Sequence, residues 1–298
     1  VFVSTEGEVA VYSGTDPSSS STWSLEGRYD IAKPVGINGH MRAGGDFLIA
    51  TEDGIVPLSK VFTKDPAALS LSAVTRSIEP LWTFEASRNT GSIELKKWTE
   101  NNLGVLVLPS ADRALTVNLK TGGWAIQQGW SMDCAAVFDG KCYGGFSDGF
   151  VRALDETGTD DGVAFTARYC GSFLDFGRPG AFKVASAARP VFYSDVEFVY
   201  EVDASFDFNP VFDAAPPVAL DTADEDYLVW GQGSWGQKRW ETNVRSEIQT
   251  GFTPPWKSVA GGGYAMAPML QITSGAARKL DIELIRFDVT YQEGSIQV

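Results

Sequence analysis

The sequence predicts an all-β protein: a partial or degenerate β-propeller over residues 1–160, then a β-sandwich-like domain over 161–298 that closes on a C-terminal hairpin. Three observations carry this. Short runs of Val, Ile, Phe, Tyr and Leu are broken by Gly, Asp, Asn and Ser about every ten residues, the pattern of short strands joined by turns. One motif, an apolar burst, an acidic or Gly-containing turn and a second apolar burst, recurs in the first half. Helix signals are sparse, with one short helix-compatible window at 67–72.

The hairpins come in order. VFVSTEGEVAVYSG spans 1–14, and FLIATEDGIVPLSK spans 47–60 with Glu52, Asp53 and Gly54 at its turn. GVLVLPSADRALTVNLKTGGW spans 104–124, and CAAVFDGKCYGGFSDGFVRALDE spans 134–156. Their turns are unevenly spaced, a degenerate repeat set against the ~40–50 residues of propeller blades. A blade does not bury both faces alone, so neighbours must stack around an axis. About three blades are expected here, fewer than the roughly four to eight of closed rings. The remainder is expected to lie before Val1, which opens inside a strand-like run, or to come from elsewhere.

After about Gly162 the strands lengthen. Phe198, Tyr200 and Val202 continue an alternation begun at Val196, with Glu197, Val199 and Glu201 on the other face. One buried face and one wet face are expected. A Pro-, Ala- and Asp-rich loop follows at 209–226, then a Trp- and Gly-rich segment and a Gly run at 261–263. MLQITSG and LDIELIRFDVTYQ are expected to pair as the final hairpin.

Composition narrows the function classes. The 298 residues suffice for a large core. No apolar run is long enough for a transmembrane helix, and no basic-then-apolar leader opens the chain. Three cysteines, Cys134, Cys142 and Cys170, are too few for a disulfide framework and read as buried or half-buried free thiols from a reducing cytosol. A net charge of −14 argues against a tight grip on nucleic acid, which needs clustered Lys and Arg. It suits a surface that DNA must slide past.

Catalytic and metal motifs are weak. DETGTDDG (155–162) departs from the EF-hand spacing at Thr157 and Thr159 and reads as an acidic inter-domain loop. DTADEDY (221–227) reads as a solvated loop. Carboxylate pairs for glycoside hydrolysis exist in any acidic β chain, so spacing specifies none. His40 has no recognisable partner and reads as a strand-edge or surface residue. No cofactor is expected. In VWGQGSWGQKRW, Trp230, Trp235 and Trp240 stand five residues apart. Odd spacing sends strand side chains to opposite faces, against a single flat sugar platform. Together with Arg239, they are candidate interface anchors.

The run ALTVNLKTGGWAIQQGWSMDCAAVFDGKCYGGFSDGFVRALDETGTDDG, with GGDFLIATEDGIVPLSK and WSLEGRYDIAKPVG before it, resembles the tail hub or nozzle proteins of short-tailed bacteriophages and prophages. The resemblance covers about Trp23 to Pro190 and, more weakly, the ending YQEGSIQV. It implies a structural, non-enzymatic virion protein, made in the bacterial host cytoplasm, that forms a homohexameric ring below the portal and its adaptor. Such a ring extends the DNA ejection channel, carries fibres or a plug, and passes double-stranded DNA without binding it specifically. On that reading Glu52, Asp53, Asp160 and Asp161 are candidate acidic channel lining. The alternatives are a propeller-fold virion depolymerase and a receptor-binding tail protein.

Overall fold

The computed structural model describes residues 1–63, 65–194, 198–217, 250–275 and 279–296. It is mostly antiparallel β-structure, as the sequence predicts, and it divides into two compact units, Val1–Leu154 and Asp155–Val298.

The first unit begins with β1 (Phe2–Val3), β2 (Glu8–Gly14) and β3 (Trp23–Asp30), paired in that order as one sheet. A second sheet follows, β4 (His40–Ala43), β5 (Asp46–Thr51) and β6 (Gly54–Pro57). Thr51 pairs Gly54 across the Glu52–Asp53 turn, and Thr51 Oγ1 donates to Gly54 O at 2.8 Å. Gly54 has φ +141°, and a Cβ there would meet Ala73 Cβ at 2.6 Å and Thr75 Oγ1 at 2.8 Å, so this turn admits no side chain.

The chain then becomes helical: α1 (Leu58–Val61), α2 (Pro66–Leu69), 3-10 turns over Ser70–Ser72 and Val74–Ile78, and α3 (Glu79–Arg88). The expected window at 67–72 is helical, with Asp65 capping α2 through Ala67 N. The ten-residue α3 is an addition that the sequence pattern did not predict. Its buried side chains are Trp82, Glu85 and Ala86, so a carboxylate interrupts the apolar stripe by which a helix is read.

Two more sheets complete the unit. One holds β7 (Glu94–Trp98), β8 (Leu103–Val107), β9 (Arg113–Asn118) and β10 (Trp124–Gln128). The other holds β11 (Met132–Phe138), β12 (Lys141–Phe146) and β13 (Val151–Ala153). Successive strand residues point to opposite faces, and here both faces find apolar partners. In β5, Ile49 packs with Val9, Ile31 and Val56, while Leu48 and Ala50 join Trp82, Leu106 and Leu115. In β8, Leu106 belongs to that second cluster, whereas Val105 and Val107 pack with Met132, Ala135 and Cys142. Four sheets therefore lie face to face in chain order, separated by three apolar clusters. The hairpin spacing predicts about three such elements; the fourth arises because the strands of 1–30 and 40–57 build separate sheets.

The second unit pairs strands distant in sequence. β14 (Phe165–Cys170) and β16 (Tyr200–Phe206) flank β20 (Met266–Ser274). The long β15 (Ala181–Ser194) has β17 (Thr250–Phe252), β18 (Lys257–Ser258) and β19 (Gly262–Gly263) along one edge and β21 (Ile282–Ile296) along the other. Both sheets contribute to one apolar cluster, with Phe192 against Phe198 at 5.0 Å and Tyr200 at 5.7 Å, beside Met266 and Leu270. Phe198, Tyr200 and Val202 are buried while Val199 and Glu201 are exposed, as the alternation requires; Val196 and Glu197 lie outside the described residues.

The expected C-terminal hairpin is absent. MLQITSG lies in β20 and LDIELIRFDVTYQ in β21, and the two belong to different sheets. Both edges of β20 are already taken, by β14 and β16, so β21 pairs along the free edge of β15.

Candidate functional site

The acidic turn residues named above are all on the surface. Glu52 and Asp53 are adjacent and exposed in the β5–β6 turn, where Glu52 N donates to Lys33 O at 2.9 Å. Asp160 and Asp161 are exposed in a tight turn of the second unit, closed by paired backbone hydrogen bonds between Asp160 and Val163 at 2.8 and 2.9 Å. Asp161 and Gly162 both have positive φ, +48° and +82°, the two-residue turn that favours Asp-Gly. Each pair is thus held on a tight, backbone-fixed turn within its own unit. Trp230, Trp235, Arg239 and Trp240, and the 221–227 loop, lie outside the described residues.

Charge is uneven between the units. Residues 1–154 carry 17 Asp and Glu against 13 Lys and Arg, whereas residues 155–298 carry 21 against 11. The second unit therefore supplies most of the net −14.

That unit also contains two recesses of about 290 Å³ each. The first is apolar. Phe165, Tyr169, Phe192, Ile272, Leu280 and Ile282 line it, and Lys279 and Asp155 form an ion pair at its rim. The second is acidic, with Glu201, Asp203 and Asp213 around Gln271. Gln271 Oε1 accepts from Arg168 Nε at 3.1 Å, and Gln271 Nε2 donates to Asp213 O at 3.2 Å. Burial pushes the Asp203 carboxyl above its usual range, the hydrogen bond from Ala204 N opposes this, and the Asp213 and Glu201 carboxylates add to the rise. Sequence spacing missed this trio because Asp213 comes from a separate segment laid over the sheet.

No group of three or more His, Cys, Asp or Glu arranged to hold a metal occurs among the described residues. His40 is exposed in β4, its Nδ1 3.1 Å from Ile37 O and its ring 5.2 Å from Phe47. The cysteines are free, but Cys134 is exposed rather than buried, because it alternates with buried Ala135 in β11. Burial pushes the Cys142 thiol up to about 11. Among the described residues no helix is long and apolar enough to cross a membrane.

A further surface feature among the described residues is the pair of end faces of the four-sheet row. On the first sheet, Tyr12 stacks on Trp23 at 5.7 Å and meets Phe2 edge-on at 5.6 Å, and Leu25 pairs Tyr12 across the strands. This face points away from the Val9 cluster, and Phe2 is 62% exposed. On the last sheet, Cys134, Ala136 and Phe138 of β11 lie beside Gly145, Tyr143 and Lys141 of β12, with Val151 and Ala153 of β13 beyond. Phe138 is 74% and Val151 71% exposed. Exposed apolar residues gathered on one sheet face make it a candidate interaction surface.

No family model matches the chain, and no curated protein matches it.

Proposed function

We propose that the chain is a structural virion protein, a subunit of the tail hub or nozzle ring of a short-tailed bacteriophage, with a partial β-propeller followed by a β-sandwich-like domain. The observation that carries this reading is the four-sheet row, with each interior sheet buried on both faces as propeller blades are. The quoted resemblance supplies the virion context. The acidic surface supports it further: Glu52 and Asp53, or Asp160 and Asp161, placed on a channel wall would repel passing double-stranded DNA and keep it from adhering. Rigid, turn-anchored sheets suit a wall that must bear pressure. The proposed partners are further copies in a hexameric ring, the portal or adaptor above, and fibre or plug proteins. Trp230, Trp235, Arg239 and Trp240 are proposed as contact material.

A carbohydrate-active virion enzyme is the second reading, favoured by the Asp203, Glu201 and Asp213 trio, since a carboxyl held up beside carboxylates is the arrangement of an acid–base pair.

Electron microscopy of the particle containing the chain tests the choice. A sixfold ring around an open channel at the capsid base is the expected result. A threefold fibre tip, or cleavage of host polysaccharide lost in Asp203→Asn, would replace the nozzle reading.

A further inference from the structure

We infer that the two end faces of the four-sheet row bind each other between copies, the last sheet of one chain stacking on the first sheet of a second. The inference rests on the reading of the row as part of a propeller, and it names the partner that completes it.

Within the row, each interior sheet presents one face to the sheet before it and the other to the sheet after it, and this relation repeats across three apolar clusters. Continuing it past the last sheet demands a first-sheet face, and continuing it before the first demands a last-sheet face. A second copy offers both.

The two faces also match in size. The first carries bulk: Phe2, Tyr12, Trp23 and Leu25, with the aromatic rings already stacked on one another. The last carries small residues, Cys134, Ala136, Gly145 and Ala153, around Tyr143 of the central strand, with Phe138 and Val151 at the margin. Large side chains of the first sheet set into the small positions on either side of Tyr143 give the interdigitation that close packing requires. Charge does not oppose the contact: Glu8 and Arg28 neutralise each other at 2.6 Å on the first face, and Lys141 lies at the end of β12 on the last.

Such contacts are heterologous: they join unlike surfaces and propagate until rotation closes them. Two copies of a four-sheet row make eight sheets, within the roughly four to eight of closed propellers. The closed unit is therefore a pair with two identical contacts.

The test is the mass in solution of the whole chain and of two variants, Tyr12→Asp and Ala136→Asp, by sedimentation velocity over a concentration series. Circular dichroism and thermal melts confirm that both variants fold. The expected result is a dimer for the parent, with each variant's dissociation constant raised about 100-fold or more, as for loss of a central contact. Mixing the variants should restore association, because Tyr12→Asp retains an intact last face and Ala136→Asp an intact first face. Cys134 provides a second reading on unaltered protein: a maleimide should label it in dilute monomer and be excluded from the dimer, while labelling of Cys170 stays constant. A parent that is monomeric at all concentrations, or a dimer indifferent to both substitutions, overturns the proposal. A monomer whose Cys134 is already protected also overturns it but leaves the propeller reading standing, since another part of the same polypeptide would then cover the face.

Discussion

Arg113 of β9 donates through Nε to Glu85 Oε1 of α3 at 2.7 Å, and the Glu85 side chain has no exposed surface. The pair fastens α3, the longest helix among the described residues, to the third sheet of the first unit. Asn89 adds to it, donating to Glu85 O at 3.0 Å while its Oδ1 accepts from Ser110 N at 2.8 Å. Arg113 also lies over the Phe84 ring, 5.9 Å from its centroid.

Removing the cation strands a buried carboxylate. Arg113→Ala should cost about 2–3 kcal/mol, less than for a fully buried pair because Arg113 keeps 29% of its surface in water. Glu85→Gln in that background should recover part of the loss. Urea denaturation of the single and double variants checks this, and an unchanged or larger loss in the double variant would refute the charge explanation.

Lys183 makes a different kind of buried contact. Its side chain is fully buried, and Nζ donates to Arg178 O at 3.0 Å, Ala181 O at 2.9 Å and Tyr264 O at 2.9 Å, using all three ammonium protons. Lys183→Met leaves three carbonyls without that donor and should destabilise the second unit by roughly 2–4 kcal/mol. Hydrogen exchange would report the loss in β15 and around Tyr264, with the first unit unchanged.

Gly54→Ala should be costly for reasons of space and backbone together. The added methyl meets Ala73 and Thr75, and φ +141° disfavours any L side chain. A loss of about 1–3 kcal/mol is expected. Gly44→Ala in the neighbouring turn is the control, since nothing lies within 4 Å of its Cβ position; equal melting temperatures for the two variants would defeat the steric argument.

Asp203 gives a pH dependence of definite sign. Its folded pKa is raised, so the folded chain holds this proton more tightly than the unfolded chain. The stabilisation is present below the ordinary carboxylate range near 3.8 and is lost as pH rises through the raised value. Asp203→Asn should therefore raise the melting temperature at neutral pH, and the gain should shrink on acidification toward pH about 4. A gain that grows on acidification would contradict the raised pKa.

Legibility in the sequence varied with the physics of each element. The β5–β6 hairpin was plain because an acidic turn separates two apolar bursts. The Phe198–Val202 strand was plain because only one of its faces is buried. The helix α3 is obscured by Glu85, a charged residue at a core position that Arg113, 28 residues away, makes tolerable. Adjacency in sequence predicts a β20–β21 hairpin, whereas β20 is a central strand with both edges occupied. The Asp203 trio was illegible because its members meet only when residues 209–217 fold over β16 and β20.

The strand order also sets a timetable for synthesis. Every sheet of the first unit is built from strands consecutive in the chain, so each closes as soon as its own short stretch has been made. The second unit must wait: Phe165 pairs Ser274, and Ala181 pairs Ile296, partners more than 100 residues apart. Closing such long loops is slow, and edges left unpaired meanwhile are prone to mispairing. On a ribosome the row of sheets can assemble behind the growing end, while β14 waits for β20 and one edge of β15 waits for β21.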